Sequence, residues 1–361
     1  MSAAVSIRPH APADARSLRV NIIGKSNGVG LARDLELLAS ALRSAGHVVG
    51  VTVIDARDAK RRRSAVTQFN AQLRLALRRW RGEPVGHMRA DVNLMIEHVW
   101  LQYLREARFN IAVPNPEWFD RHDQRFLQHV DLVWAKTGYT RQVFDALGAR
   151  TDYIGFDSED RCDARVRKER SYFHLAGKST MKGTDRVLAV WRRHPEWPKL
   201  IVVQHRNQVQ SRTDAPNIEF KVGYLPDEEV RRLQNQSALH ICTSRTEGWG
   251  HYIVEAMSVG AVTITVDAAP MNELVTAERG VLVPYAATGQ QRLASTYYFD
   301  EAAFEAAIER TRAMTDADCE RLGARAREWF LANKHGFIDR VSAALEAAGA
   351  QTTSIRAARR R

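Results

Sequence analysis

The chain has 361 residues, enough for two domains of ordinary size that each bury a core. Its 45% apolar and 26% charged residues are those of a soluble globular protein, and no apolar run approaches the roughly 20 residues needed to span a bilayer. The net charge of +11 calls for an anionic partner, and composition leaves open whether that is nucleic acid, a membrane face or a substrate.

Residues 1–16 lack an apolar signal core, so they are expected to form a disordered leader and export is not expected. Cys162, Cys242 and Cys319 lie far apart without metal-ligand spacing, which suits free thiols in a reducing compartment. A first strand runs through Leu18–Ile23 and ends in a glycine-bearing loop with Gly24, Gly28 and Gly30. The helix after it carries Leu31, Leu35, Leu38 and Leu42 on one face, and Val48–Ile54 forms the next strand. This βαβ order implies a parallel sheet. Gly24-Lys25-Ser26 and Gly177-Lys178-Ser179 resemble the tail of a phosphate-binding P-loop, but Arg19 and Tyr172 stand where its first glycine is required.

Residues 57–81 carry nine basic side chains, with Val66, Phe69, Leu73, Leu77 and Trp80 at helical steps. Such a helix either lies on anionic lipid headgroups or packs its apolar stripe on the sheet. Further on, strands are expected at Asp91–His98 and Asn110–Val113, with a helix from Val99 to Ala107 between them. A proline-rich loop follows, with Asn115 and Glu117. Asp131–Thr137 reads as a strand, Tyr139–Leu147 as a helix, and the polar residues 158–170 as the linker that ends a domain of residues 17–157.

A second domain, residues 171–329, repeats the alternation: strand Tyr172–Ala176, a loop with Lys178 and Lys182, helix Asp185–His194, strands Leu200–Gln204 and Ile218–Val222, and helix Asp227–Gln236. Its centre is the run from Ala238 to Asp267: a buried strand, the loop Arg245-Thr246-Glu247-Gly248-Trp249-Gly250-His251, a helix with Glu255, and another buried strand. Glycines there permit close approach to the backbone, and the first amides of the helix can hold a phosphate. Glu247 and Glu255 either flank an anionic ligand with hydroxyl-rich ends or merely cap a turn and complement the helix dipole. Residues 330–350 read as a terminal helix and 351–361 as a disordered basic tail.

The motif E-G-W-G-H-Y-I-V-E resembles the E-x7-E signature of retaining GT-B glycosyltransferases, the glycosyl transferases group 1 family. Pro270–Val275, Gly280–Val283 and the run Val222–Val230 match its surroundings, and the resemblance covers roughly residues 18 to 345. It implies two Rossmann-like, doubly wound parallel-sheet domains facing across a cleft, with the terminal helix crossing back onto the first. It also implies transfer of a hexose from a UDP- or GDP-sugar to an acceptor hydroxyl, with no cofactor and no metal. By the same resemblance, Glu247 holds the donor sugar, Glu255 the ribose, and Lys178 and Lys182 the diphosphate; Lys178 replaces the family's arginine at a spacing one residue shorter. Gly28, Gly30, Gly250, His251 and Tyr252 become donor-side residues.

On the acceptor side, Asn115 stands where many relatives carry histidine, with Glu97, His98 and Glu117 as further candidates. Asp316-Ala317-Asp318 resembles a D-x-D metal motif of another transferase fold, but its place at a helix start, with Thr315 as cap, reads as structural. The expected acceptor is a glycan or lipid-linked glycan of a bacterial cell surface (lipopolysaccharide, capsule or exopolysaccharide) or a glycolipid. The expected location is cytoplasmic, peripheral on the inner membrane face if residues 57–81 bind lipid. The rival readings are a transferase acting on a protein or small metabolite, and a non-catalytic protein binding nucleic acid or another polyanion on the same fold. The joint frame of Glu247, Glu255, Lys178 and Lys182 argues against the latter.

Overall fold

The computed structural model describes residues 17–25, 29–55, 73, 90–208 and 215–358. Gly28 and, apart from Leu73, the basic stretch 57–81 therefore lie outside the described residues. The described residues fold into two six-stranded sheets, each parallel throughout and flanked by helices, with a small hairpin beside them.

The first sheet comprises β1 (Arg19–Lys25), β2 (Val48–Ile54), β3 (Ala90–Ile96), β4 (Ala107–Val113), β5 (Leu132–Ala135) and β6 (Thr151–Tyr153). Their spatial order is β2-β1-β3-β4-β5-β6. Helix α1 (Val29–Ser44) buries Leu31, Leu35, Leu38 and Leu42, the face that its spacing predicts. Gly46, at φ +86°, lets the chain leave that helix in a conformation other residues resist. Among the described residues, short helices α2 (Arg121–Phe126) and α3 (Gly138–Ala146) follow later in the domain.

The helix expected from Val99 to Ala107 does not form. Only a single 3-10 turn at Leu101–Tyr103 interrupts the passage to β4, which begins at Ala107. The burial of Val99, Trp100 and Leu101 in the core explains the apolar pattern without a helix. A tertiary demand for close return to the sheet overrode local periodicity.

The second sheet comprises β7 (Glu169–Gly177), β8 (Leu200–Gln204), β9 (Ile218–Val222), β10 (Ser237–Cys242), β11 (Val262–Val266) and β12 (Gly280–Val283). The order β12-β11-β10-β7-β8-β9 is that of a dinucleotide-binding sheet, reversing direction between β7 and β10. Helices α4 (Thr184–Arg193), α5 (Asp227–Gln236), α6 (His251–Ser258) and α7 (Met271–Leu274) connect its strands. An antiparallel hairpin of β13 (Tyr285–Gln291) and β14 (Ala294–Phe299) follows, then α8 (Glu301–Ala313).

The last helix, α9, runs from Asp316 to Ala358, into the stretch expected to be disordered. Thr315 caps it: its hydroxyl accepts from the Asp318 amide while the Asp318 carboxylate accepts from the Thr315 amide. The Asp-Ala-Asp run thus serves the helix start. Helix α9 packs on α1 of the first domain. Its Phe337, Val341, Leu345 and Ala348 join Leu38 and Leu42 of α1 in one apolar cluster that reaches Phe156, Trp249 and the second sheet.

The segment 158–170 carries no regular structure until β7 begins, yet it is pinned. Arg161, 1% exposed, donates to Gln234 and to the Asp227 carboxylate, while Asp160 pairs with Arg327 of α9.

Candidate active site

Both sheets turn their carboxyl ends toward one crevice, and both direction reversals, β1/β3 and β7/β10, open there. The crevice has a volume of about 570 Å³, within the range that holds a small-molecule ligand. Gly30 and the start of α1 lie on one wall. The loops after β7 and β10, with Lys178, Lys182, Glu247, Gly250, His251, Tyr252 and Glu255, form the other. Asn115 and Glu117 of the loop after β4 close the end, and Tyr224, Leu225 and Val230 border the mouth.

The second wall is built around α6. Gly250 takes φ +93°, a left-handed turn that opens directly into the helix, whose first amides have no intrahelical acceptors. Gly248 has a different reason. A Cβ there would come within 2.3 Å of Asn115 Oδ1, so glycine permits the two domains to touch.

Glu247 is held by a chain of hydroxyls. The Ser244 Oγ donates to its Oε1 at 2.5 Å, and Ser244 Oγ and Tyr252 Oη lie 2.7 Å apart. Because the Ser244 hydroxyl gives its proton to Glu247, the phenol must donate to Ser244. Burial raises the Glu247 pKa above the ordinary carboxylate range, against the lowering effects of Ser244, Lys182 and His251. Lys182 donates to the Leu175 carbonyl at 2.7 Å, and its ammonium sits 3.9 Å from the Tyr252 ring centre. Burial lowers its pKa. Lys178 is exposed at the rim.

Glu255 is 2% exposed, and both of its oxygens are engaged. Arg33 of α1 reaches across the cleft to Oε1 at 2.5 Å, and Gln234 donates to Oε2 at 3.0 Å. A second bridge joins the domains at His251, whose Nε2 lies 2.7 Å from Asp34 while its Nδ1 meets Ser158. Asp34 also takes the Lys136 ammonium at 2.5 Å. Burial would raise the Asp34 pKa, but Lys136 and His251 outweigh it and hold the group at about 2. Lys136 donates in addition to Asn115 Oδ1.

Residues 161–329 match the model of the family described as glycosyl transferases group 1. The second domain is a glycosyltransferase domain of this family. No functionally curated protein matches the chain in sequence. Among solved structures, a glycosyltransferase from Rickettsia africae superposes with a TM-score of 0.66 at 12% identity, covering 93% of this chain and 99% of its own. The Anabaena protein HepE, solved with UDP and glucose, gives 0.63 at 13% identity, with 91% and 99% covered. An Escherichia coli protein described as trehalose-6-phosphate, bound with UDP-2-fluoro glucose, gives 0.62 at 12% identity, with 92% and 99% covered. At these identities the likeness is one of fold: the transferase domain and the first domain together form the two-sheet GT-B arrangement.

Most of the residues picked from the sequence meet in this crevice of the transferase. His98 does not. It is absent from the lining, and its ring nitrogens face Asp123 at 2.9 Å and Glu97 at 3.4 Å. Asp123, fully buried in the first domain, also accepts the Val99 amide and so anchors the ring there. Sequence reasoning missed Arg33, Asp34 and Lys136. Lys136 carried a signal, a cation directly after the buried strand Leu132–Ala135. Arg33 and Asp34 carried none, since the helical spacing of α1 marks only its leucine face.

Proposed function

We propose that the chain is a retaining glycosyltransferase moving a hexose from a UDP- or GDP-sugar to an acceptor hydroxyl. The observation that carries this reading is the convergence of Glu247, Glu255, Lys178, Lys182 and the α6 amides on one cavity. In the proposed reaction the bond between the sugar's anomeric carbon and the phosphate oxygen breaks, its electron pair leaving on the diphosphate. The acceptor oxygen bonds to that carbon on the same face, and its proton ends on a phosphate oxygen.

Lys178, Lys182 and the helix amides at Gly250, His251 and Tyr252 stabilise the departing charge with positive groups already in place. Glu247 holds the sugar hydroxyls, and no glutamate nucleophile is invoked. Glu255 takes the ribose hydroxyls, which requires Arg33 to yield Oε1. Gly30, at the start of α1, has open space where a side chain would stand and leaves room for the donor. A UDP-bound or UDP-sugar-bound state of neighbours with the same fold supports the choice of donor class.

Transfer and donor hydrolysis, measured with a panel of UDP- and GDP-sugars in the presence of chelator, test this reading. Glu247→Ala should abolish transfer, and wild-type activity should persist without metal. Turnover by Glu247→Ala at the wild-type rate would refute the assignment.

The acceptor is a glycan or lipid-linked glycan of a cell-surface or glycolipid pathway, and the chain works in the cytoplasm against the inner membrane face. The charge of +11 and the basic stretch 57–81 support this setting, and no described helix is long and apolar enough to cross a membrane. Co-sedimentation with anionic but not with neutral vesicles is the expected result; equal binding to both would remove the membrane part.

A further inference from the structure

We propose that Glu117 is the acceptor-binding carboxyl of this cleft and selects an uncharged polyol as the reacting end of the acceptor. This rests on the transferase reading above and deepens it.

Glu117 sits in the loop after β4, where it cannot swing freely. The Leu293 amide at the tip of the β13–β14 hairpin donates to the Pro116 carbonyl, and the Trp118 and Phe119 amides return to the Asn115 carbonyl. The side chain lines the cavity although Glu117 is only 7% exposed. Its Oε2 has no hydrogen-bond partner, while its own backbone amide supports the carboxyl. A buried, unpartnered carboxyl oxygen costs stability, and it persists most readily where a ligand group completes it.

The groups that face it are Glu247 across the cleft, Glu97 from the end of β3, and Lys136. Two of these are carboxyls, and Lys136 is already committed to Asp34 and Asn115. Burial and both glutamates push Glu117 up to about 8, against the weaker pull of its amide and Lys136, so it is protonated at neutral pH. A protonated carboxyl offers one donor and an acceptor, the pair that a sugar hydroxyl also offers. Glu97 adds a second sign of a built site. It holds φ +66°, a left-handed conformation that a residue with a Cβ adopts at a cost, and burial raises its pKa too. An anionic reacting end, such as a uronate, would meet three carboxyls here, while Lys136 is held by Asp34 and Asn115 and Lys25, at the end of β1, acts on Glu97.

The experiment compares wild type, Glu117→Gln and Glu117→Ala on a panel of alkyl glycosides and the same glycosides oxidised to uronates, with donor binding followed by calorimetry. Wild type is expected to use neutral glycosides and reject uronates, and its acceptor KM should rise as pH passes about 8. Glu117→Ala should raise the acceptor KM roughly tenfold or more, the scale of one lost buried hydrogen bond. Glu117→Gln, which keeps a donor and an acceptor, should restore most of that loss and flatten the alkaline rise. The protonated-carboxyl infrared band of wild type at neutral pH should lose intensity in Glu117→Gln.

Preference for uronates, transfer to no neutral glycoside, or equal damage by Gln and Ala overturns the proposal. So does an acceptor KM in Glu117→Ala equal to that of wild type. Failure of wild type to bind any UDP- or GDP-sugar overturns the transferase reading and the proposal together; donor binding with an unaltered acceptor KM overturns the proposal alone.

Discussion

The Tyr252 phenol donates to Ser244, whose hydroxyl donates to Glu247, so one buried carboxyl depends on two neighbours for its charge. Burial raises the Glu247 pKa and Ser244 opposes that rise. Removing the hydroxyl therefore raises it further. If Glu247 works as a carboxylate, Ser244→Ala should move the acidic limb of the pH–rate profile to higher pH and leave the alkaline limb in place. An unmoved acidic limb would mean that Glu247 ionisation does not gate the reaction. The acids of the motif were legible in the sequence because their spacing is local. Their protonation was not, since it depends on residues brought near only by folding. Glu117 is the sharper instance: its neighbour Glu247 lies on the other domain.

Among elements, α1 and α6 meet end to end across the cleft, and Asp34 of α1 is the hinge of that contact, holding Lys136 and His251 together. Lys136 is 1% exposed, so removing Asp34 strands a buried ammonium. Asp34→Ala should destabilise the fold by about 3–5 kcal/mol, the usual consequence of breaking a buried pair from one side. Denaturant midpoints near neutral pH measure this; a loss below about 1 kcal/mol would show that Lys136 finds another partner. Because the Asp34 pKa is depressed, its contribution is present above the ordinary value of 3.8 and is lost as pH falls through about 2. Helix α1 was readable from its leucines, and the strands from their apolar runs. The β13–β14 hairpin was not, because Tyr285–Gln291 is polar and almost wholly exposed. Its reason for existing is tertiary: it carries Leu293 to the first domain's core and the Ser295 amide to the Tyr139 hydroxyl.

Across the whole molecule, several contacts hold the halves together over the cavity. Arg33 joins Glu255 and Asp227, Glu273 accepts from the Gly138 and Tyr139 amides at the start of α3, and α9 packs on α1. Arg33 is the one among these that also occupies a proposed donor contact. Replacing it with alanine should loosen the empty protein without touching the α9 seam. The radius of gyration from solution scattering is expected to increase in Arg33→Ala and to fall again when UDP or GDP is added. A variant as compact as wild type would show that Arg33 does not close the cleft.

The sequence by itself determined the βαβ alternation, the two-domain plan and the motif loop of the transferase domain, because periodicity and glycine placement act over a few residues. Tertiary structure decided which charges face one another. It turned His98 inward, brought Arg33 to Glu255, and set Glu117 opposite Glu247 with one oxygen unpartnered. Those relations join residues far apart in the chain, and a carboxyl's desolvation and electrostatic neighbours exist only once two domains have closed on a common cavity.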